Sequence, residues 1–175
     1  MAISTKEKKA QASHEMSGQG KIRAHAAGIE LSNELDNATS IGKIREITEK
    51  RLELPGVSEH LASSYKADGI QRARDLLEKK KESMDTETYF GASNFARAAA
   101  EFAEEIGLEK EAKRFHMDEV ALRRTYYKND RIYGKKVRAG GLRKTAELAR
   151  HYGLSRLDVD ADEIEEEAER LEEGR

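Results

Sequence analysis

The side chains best suited to chemistry lie in one stretch, RRTYYKNDRIYGKKVRAGGLRK at positions 123–144, with nine Lys or Arg, one Asp and three of the six tyrosines. Lysine and arginine neutralise phosphates with release of counterions, and tyrosines among them can stack on unpaired bases, each stack contributing about 1–3 kcal/mol. Gly134, Gly140 and Gly141 would let the backbone approach a phosphate. The stretch therefore predicts a contact with RNA or a ribonucleoprotein through Arg123, Arg124, Tyr126, Tyr127, Lys128, Arg131, Tyr133, Lys135, Lys136, Arg138, Arg143 and Lys144.

The same stretch also has a purely structural interpretation, in which its tyrosines cover a core and its Arg and Lys stems lie over them. Residues 123–150 carry ten basic and two acidic side chains, a net charge of +8, whereas residues 157–173 carry a net charge of −9. We expect the acidic segment to lie against the basic one and to compete with phosphate for it. The alternative is a permanent surface network in which each exposed pair contributes at most about 1 kcal/mol.

No other group of side chains forms a catalytic or metal-binding signature. Cysteine is absent, the five histidines share no ligand spacing, and EKEAKRFHMDE brings Glu111, His116 and Glu119 together only loosely. The hydroxyls lack a nucleophile elbow, and the dispersed carboxylates fit a solvated helix face. Residues 145–159 imitate a DNA-binding helix-turn-helix, but phosphates would repel its acidic second helix. We therefore expect no enzyme, no cofactor and no metal.

The composition is typical of charged helices. Charged residues make up 38% of the 175 residues, against about 25% in ordinary domains. The polar N-terminus lacks the apolar run of a signal peptide, and no stretch approaches the roughly 20 apolar residues that cross a bilayer. We expect a cytoplasmic protein without membrane contact. Few Asn and Gln beside many Glu, Lys and Arg further suggest a thermophilic source.

The helical pattern predicts an all-α fold. Ile41, Ile44 and Ile47 share one side of a helix over residues 40–54 that Pro55-Gly56 ends, and this stripe is also a candidate dimer contact. Ser58 can begin the next helix. The glycines of the first thirty-odd residues predict an interrupted or frayed helix there, and residues 1–20 are predicted to be a disordered extension.

Two antiparallel helices are predicted around Gly107, because the link between them is so short. Asp85 or Thr86 can cap the first, which runs to residue 106, and Gly107 can end it in a left-handed turn. The second covers residues 108–128. Two further helices are predicted over residues 142–152 and 160–173, the latter with Asp160 and Glu163 at capping-box spacing.

The words GLEKEA at 107–112 and GLRKTA at 141–146 are 34 residues apart, the period of tetratricopeptide repeats. Residues 88–153 resemble that family, in which a small residue at the turn lets two helices approach. His116 and Glu119 depart from its pattern, because they stand where the family prefers an apolar residue and an alanine. The resemblance implies a stack of helical hairpins that binds a peptide or helix of a partner protein.

The sequence thus predicts a single all-α domain of about five or six helices, a bundle or short helical-repeat stack of antiparallel hairpins. Its parts are the extension 1–20, a helical domain over 21–156 and an acidic C-terminal helix over 157–175. The predicted function is a non-enzymatic interaction module that binds a protein partner. The alternatives are RNA or ribonucleoprotein binding through residues 123–144, gated by the acidic helix, and homo-oligomerisation.

Overall fold

A computed structural model describes residues 18–82, 88–130, 132–154 and 159–174. Within these ranges the chain is all-α and contains no strand, which confirms the predicted class. Its seven helices are α1 Gly18–Asp36, α2 Ile41–Leu52, α3 Glu59–Glu82, α4 Thr88–Glu105, α5 Glu109–Asn129, α6 Lys135–His151 and α7 Ala161–Glu173. No helix of the described ranges is both long and apolar enough to cross a membrane.

The contacts divide the chain into two compact units, residues 1–74 and residues 75–175, where the sequence predicted one domain. The predicted five or six helices were also too few, because α1 is a continuous helix through Gly28. A Cβ at Gly28 would stand only 3.4 Å from the hydroxyl oxygen of Tyr65, so this glycine lets α1 pack closely against Tyr65 of α3. Of the predicted extension 1–20, residues 18–20 form the first turn of α1, and the remainder lies outside the described residues.

The first unit is built around the predicted isoleucine stripe of α2. Ser40 caps α2 by accepting a hydrogen bond from the backbone N–H of Lys43 at 3.3 Å. Ile41, Ile44 and Ile47 are all buried inside this unit, so the interpretation of the stripe as a dimer contact is wrong. Their burial supplies the apolar core that α1 and α2 share.

The second unit begins with an antiparallel hairpin of α4 and α5. The ring centroids of Phe90 and Tyr126 are 5.6 Å apart, and Glu104 Oε1 is 3.1 Å from His116 Nε2. These two contacts show that α4 and α5 run antiparallel. Helices α6 and α7 form a second hairpin, and their apolar faces meet around the fully buried Leu142 and Ile164.

Two Gly-Leu pairs end α4 and α6 in the same way. Gly107 and Gly153 have φ values of 76° and 60°, a conformation that L side chains rarely adopt. The following residues, Leu108 and Leu154, donate from their backbone N–H groups to the carbonyls of residues 103 and 149 at 2.8 and 3.0 Å. These bonds define a Schellman motif. The left-handed turn predicted at Gly107 is confirmed.

Helix α6 begins at Lys135, seven residues before the predicted start at Leu142. The predicted helix over residues 142–152 did not include Gly140 and Gly141, but both lie inside α6. A Cβ at Gly141 would stand 2.3 Å from ring carbons of Tyr127 on α5. This glycine therefore lets α6 pack against an aromatic ring, and the role predicted for it, close approach to a phosphate, is wrong.

Helix α7 begins where the sequence predicted, because Asp160 accepts hydrogen bonds from the N–H groups of Asp162 and Glu163 at 3.0 and 3.3 Å. The predicted cap at Asp85 or Thr86 lies outside the described residues. The words at 107–112 and 141–146 have different surroundings, since the first opens at a turn and the second lies within α6. The tetratricopeptide resemblance stays a prediction.

The adjacent glycines of α6 provide a matched test of this packing. We expect Gly141→Ala to lower the free energy of unfolding by about 1–3 kcal/mol, since the ring of Tyr127 must move. Gly140→Ala, whose Cβ meets nothing within 4 Å, should raise it by up to about 1 kcal/mol through helix propensity. Urea unfolding followed by circular dichroism measures both, and equal effects would contradict the packing of Tyr127 on Gly141.

Candidate functional site

Three of the predicted nucleic-acid residues are engaged by the acidic helix α7. Arg124 donates to both carboxylate oxygens of Glu167 at 3.0 and 2.9 Å, and Lys128 donates to the same carboxylate at 2.9 Å. Arg143 binds Glu172 through two nitrogens at 2.7 and 2.6 Å. Paired bonds of this kind give arginine its strongest attachment to a carboxylate. The acidic helix therefore lies against the basic segment, as the charges predicted.

The electrostatics of Glu167 reflect this arrangement. Burial alone would raise the pKa of its carboxyl group, but the hydrogen bonds from Arg124 and Lys128 outweigh burial and lower the pKa below its ordinary value. Arg150, which follows the basic segment, also pairs with α7, through Asp162 at 2.9 Å and through Glu165. Ion pairs thus run along the length of α7.

Two further predicted residues bind partners on α5. Arg138 donates to the backbone carbonyls of Tyr127, at 2.9 Å, and Lys128, and so satisfies acceptors at the end of α5 that have no intrahelical partner. Arg123 forms an ion pair with Glu119, one turn earlier on α5, at 3.0 Å. Neither guanidinium projects into solvent as an unoccupied phosphate contact.

The tyrosines of the segment divide into packed and exposed residues. Tyr126 lies 5.0 Å from Tyr127 and 5.6 Å from Phe90, measured between ring centroids, and Tyr127 also covers Gly141. Tyr133 is 48% exposed. The structural interpretation therefore describes the first two tyrosines, whereas only the third has the exposure that stacking on a base needs.

Tyr133, Lys135, Lys136 and Lys144 are exposed and take no part in the ion pairs described above, whereas Lys128 is exposed but paired with Glu167. Residue Arg131 lies outside the described part of the chain. The structure thus reduces the continuous basic face predicted over 123–144 to a smaller surface around the start of α6. We call this surface the α6 tip and define it as residues 132–137 with Lys144.

A buried polar cluster, which the sequence analysis did not predict, lies beside the turn at Gly153. Glu119 is 0% exposed, and its carboxylate binds Arg123 at 3.0 Å and the hydroxyl of Tyr152 at 3.2 Å. The ring of His116 stacks on Tyr152 with centroids 3.6 Å apart. His116 Nδ1 is 3.7 Å from Glu119, too long for a hydrogen bond, while Nε2 contacts Glu104.

The signal that could have identified Glu119 was its position on the helix. Ala112, Phe115 and Leu122 form the apolar stripe of α5, and Glu119 follows Phe115 by four residues and precedes Leu122 by three. Side chains at that spacing share one face. A carboxylate on an apolar stripe must be compensated where it is buried.

The cluster shifts the acidity of its members. Burial raises the pKa of Tyr152 to about 12, and the charge of Glu119 and its hydrogen bond act in the same direction. Burial alone would lower the pKa of His116, but the carboxylates of Glu119 and Glu104 outweigh burial and raise it. The folded second unit therefore favours the imidazolium form of His116.

A cavity of about 490 Å³ opens beside this cluster. Carboxylates of Glu101 and Glu104 from the end of α4 and of Glu109 from the start of α5 line it, together with His116 of α5 and with His151 and Tyr152 at the end of α6. In the described ranges, no group of three or more His, Asp and Glu side chains has an arrangement that could hold a metal ion. The cavity therefore combines negative charge with aromatic rings.

The first unit contains an apolar groove of about 530 Å³ between α1, the residues that follow α2, and the start of α3. Ile29 and Leu61 line it and are 52% and 38% exposed, and Val57 and Tyr65 also contribute to its walls. Large aliphatic side chains left in water at a concave surface are typical of interaction sites.

His116 makes the stability of the second unit depend on pH. Because its pKa is raised by folding, its contribution is complete below the ordinary histidine pKa and is lost as pH rises through the folded-state pKa. We expect the drop in unfolding free energy between pH 6 and pH 8.5 to be larger for the unmodified chain than for His116→Gln. Urea unfolding at each pH tests this. The control His60→Gln, which removes an exposed histidine of α3, should leave the drop unchanged.

Comparison with known proteins found no matching family model, no matching curated protein and no matching solved structure.

Proposed function

We propose that this chain is a non-enzymatic helical interaction module that binds a partner protein in the apolar groove of its first unit. The observation that carries the proposal is the exposure of Ile29 and Leu61 along that groove. Burial of apolar surface contributes about 25 cal/mol per Å², so a partner that covers these side chains gains affinity directly.

The partner segment that fits such a groove is an amphipathic helix with apolar anchors three, four and seven residues apart. Ile22 and Ile29 of α1 are both exposed and are seven residues apart, so they extend the apolar surface along one side of α1. A second helix laid along α1 would cover both residues and the groove together. A second copy of this chain is one partner of that kind.

The non-enzymatic part of the proposal is supported by the bonding of the polar cluster. A carboxylate that acts as a general base must be available to a substrate, whereas Glu119 is fully buried and is bound by Arg123 and Tyr152. The Nε2 atom of His116 is occupied by Glu104. These bonds describe a network that stabilises contacts between helices.

The α6 tip favours a second candidate function, the binding of single-stranded RNA. Tyr133 is exposed beside Lys135 and Lys136, which combines a stacking surface with cations for phosphates. The ion pairs of α7 add a competing layer, because Glu167 and Glu172 already hold Arg124, Lys128 and Arg143. RNA that binds here would exchange these carboxylates for phosphates.

The groove can be tested with a randomised peptide display library selected against the full chain. We expect selected peptides to carry apolar residues at helical spacing, and Leu61→Glu to weaken their binding at least about tenfold, or about 1.4 kcal/mol. Fluorescence anisotropy of labelled peptides measures the affinity. Leu61 is already exposed, so the substitution should leave the unfolding free energy nearly unchanged.

The matched control is Ile132→Glu, which places the same charge on an exposed isoleucine of the second unit and should leave peptide binding unchanged. Light scattering on the full chain covers homo-oligomerisation: a dimer that Leu61→Glu converts to a monomer identifies the partner as a second copy. Absence of any selected peptide, together with a monomer that Leu61→Glu does not alter, would contradict the proposal.

The RNA candidate predicts a salt-dependent affinity of the full chain for labelled single-stranded RNA. If three lysines of the α6 tip each contact a phosphate, the logarithm of affinity should fall with the logarithm of salt concentration with a slope of about −2. Lys135→Glu with Lys136→Glu should abolish binding, and Tyr133→Ala should weaken it about five- to tenfold, within the range of one lost stack. Fluorescence anisotropy at several salt concentrations measures each variant.

Competition by α7 is tested by neutralising its acids without removing the helix. Glu167→Gln with Glu172→Gln leaves the buried face of α7 intact and removes the carboxylates that bind Lys128 and Arg143, while Arg124 keeps its contact with Glu163 at 3.5 Å. RNA binding should therefore tighten several-fold. The control Glu166→Gln with Glu169→Gln removes the same charge from exposed positions of α7. Equal tightening by both pairs would show a general effect of charge and would contradict competition at the basic face.

A further inference from the structure

The cavity of the second unit has a net negative lining. Three carboxylates, those of Glu101, Glu104 and Glu109, face one lysine, Lys113. Lys113 donates to the backbone carbonyl of Gly153 at 3.3 Å, which fixes its ammonium group at one edge. Glu109 forms no ion pair with any described residue. Glu101 is paired with Arg97 at 3.2 Å and Glu104 with His116 at 3.1 Å. A cation that enters the cavity therefore meets the carboxylate of Glu109 without a charged partner among the described residues.

The aromatic side of the cavity is formed by stacked rings. His116 and Tyr152 are parallel to within 22° at 3.6 Å, and the ring of His151 lies 5.4 Å from that of Tyr152. His116 is only 7% exposed, and its Nδ1 has no hydrogen-bond partner among the described residues. Behind the rings, the charge of Glu119 is balanced by Arg123. The face of a tyrosine ring attracts cations, and planar guanidinium groups can stack on it.

The size of the cavity is compatible with a side chain of a partner. A volume of about 490 Å³ lies within the range of about 300–1,000 Å³ that ligand sites occupy. A guanidinium group presents five donors in a flat fork that matches carboxylates, whereas an ammonium group is a compact and strongly hydrated charge. Carboxylates beside stacked rings therefore select the guanidinium.

We propose that this cavity binds an arginine side chain of a peptide or protein segment. The guanidinium stacks on the His116–Tyr152 pair and donates to Glu104 and Glu109. This site is separate from the groove of the first unit. It would bind a cationic side chain, whereas the groove would bind apolar side chains.

Protons and the bound arginine compete at this site. The titratable groups around His116 are Glu101 and Glu104 from α4, Glu109, Lys113, Glu119 and Arg123 from α5, and His151 with Tyr152 from the end of α6. Arg97 of α4 pairs with Glu101, and its charge acts on Tyr152. Protonation of His116 places a positive charge beside the guanidinium. The affinity for arginine should therefore rise as the pH increases through the folded-state pKa of His116, which lies above the ordinary histidine value.

The test is a titration of the full isotope-labelled chain, followed by the NMR signals of its histidine and tyrosine rings. The probes are the blocked tripeptide Gly-Arg-Gly, the same peptide with lysine in place of arginine, and the same peptide with citrulline, which keeps the shape of arginine and removes its charge. We expect the arginine peptide to shift the ring signals of His116 and Tyr152 in a saturable way, and the citrulline peptide to bind at least about fivefold more weakly.

Glu109→Gln should weaken binding of the arginine peptide about three- to tenfold, because it removes one carboxylate of the cavity. Glu147→Gln makes the same change on the exposed side of α6 and should leave the affinity unchanged. The proposal fails if arginine and citrulline peptides shift the rings equally or not at all, if a lysine peptide binds as tightly as the arginine peptide, or if both variants weaken binding alike. None of these outcomes depends on Ile29 or Leu61, so the proposal of peptide binding in the groove of the first unit is tested independently.

Discussion

The complete burial of one carboxylate, that of Glu119, constrains the second unit more than any other single interaction. A charge removed from water without compensation costs several kcal/mol. The compensation comes from Arg123 on the same helix and from the hydroxyl of Tyr152 at the end of α6. His116 then lies between Glu119 and Glu104 and extends the network to α4. Because its partners belong to both hairpins, the buried charge fixes the register in which the hairpins meet.

The last helix is held by its apolar face more than by its many ion pairs. Ile164 and Ala168 are fully buried against residues of α5 and α6, and burial of one isoleucine contributes about 1.5–3 kcal/mol. An exposed ion pair contributes at most about 1 kcal/mol. A phosphate that competes for Arg143, whose ion pair with Glu172 is exposed, would therefore displace a carboxylate side chain while α7 itself remains in place. The charges along α7 determine which basic side chains are available to a ligand, and the apolar core holds α7 in the fold.

Local signals in the sequence predicted the elements that local physics controls. Ser40, Gly107 and Asp160 act through bonds to residues a few positions away, so their roles could be predicted from neighbouring letters. The start of α6 could not be predicted in this way, because the need for glycine at position 141 comes from the ring of Tyr127 on another helix. The same holds for the basic segment: its charge was evident, but whether Arg124 and Arg143 face solvent or α7 depends on tertiary contacts.

The two Gly-Leu turns explain why the polar cluster and its cavity lie where they do. Glu104 belongs to the last turn of α4 before Gly107, and Tyr152 immediately precedes Gly153. Each reversal of the chain thus brings one partner to His116. The two turns are 46 residues apart, whereas the segments GLEKEA and GLRKTA are 34 residues apart. The spacings differ because Gly107 and Gly153 adopt a positive φ at the turns, whereas Gly141 lies within α6 and leaves room for the ring of Tyr127. Glycine is therefore needed for a positive φ at the turns and for close packing within α6. Only the turns bring together the residues that line the cavity.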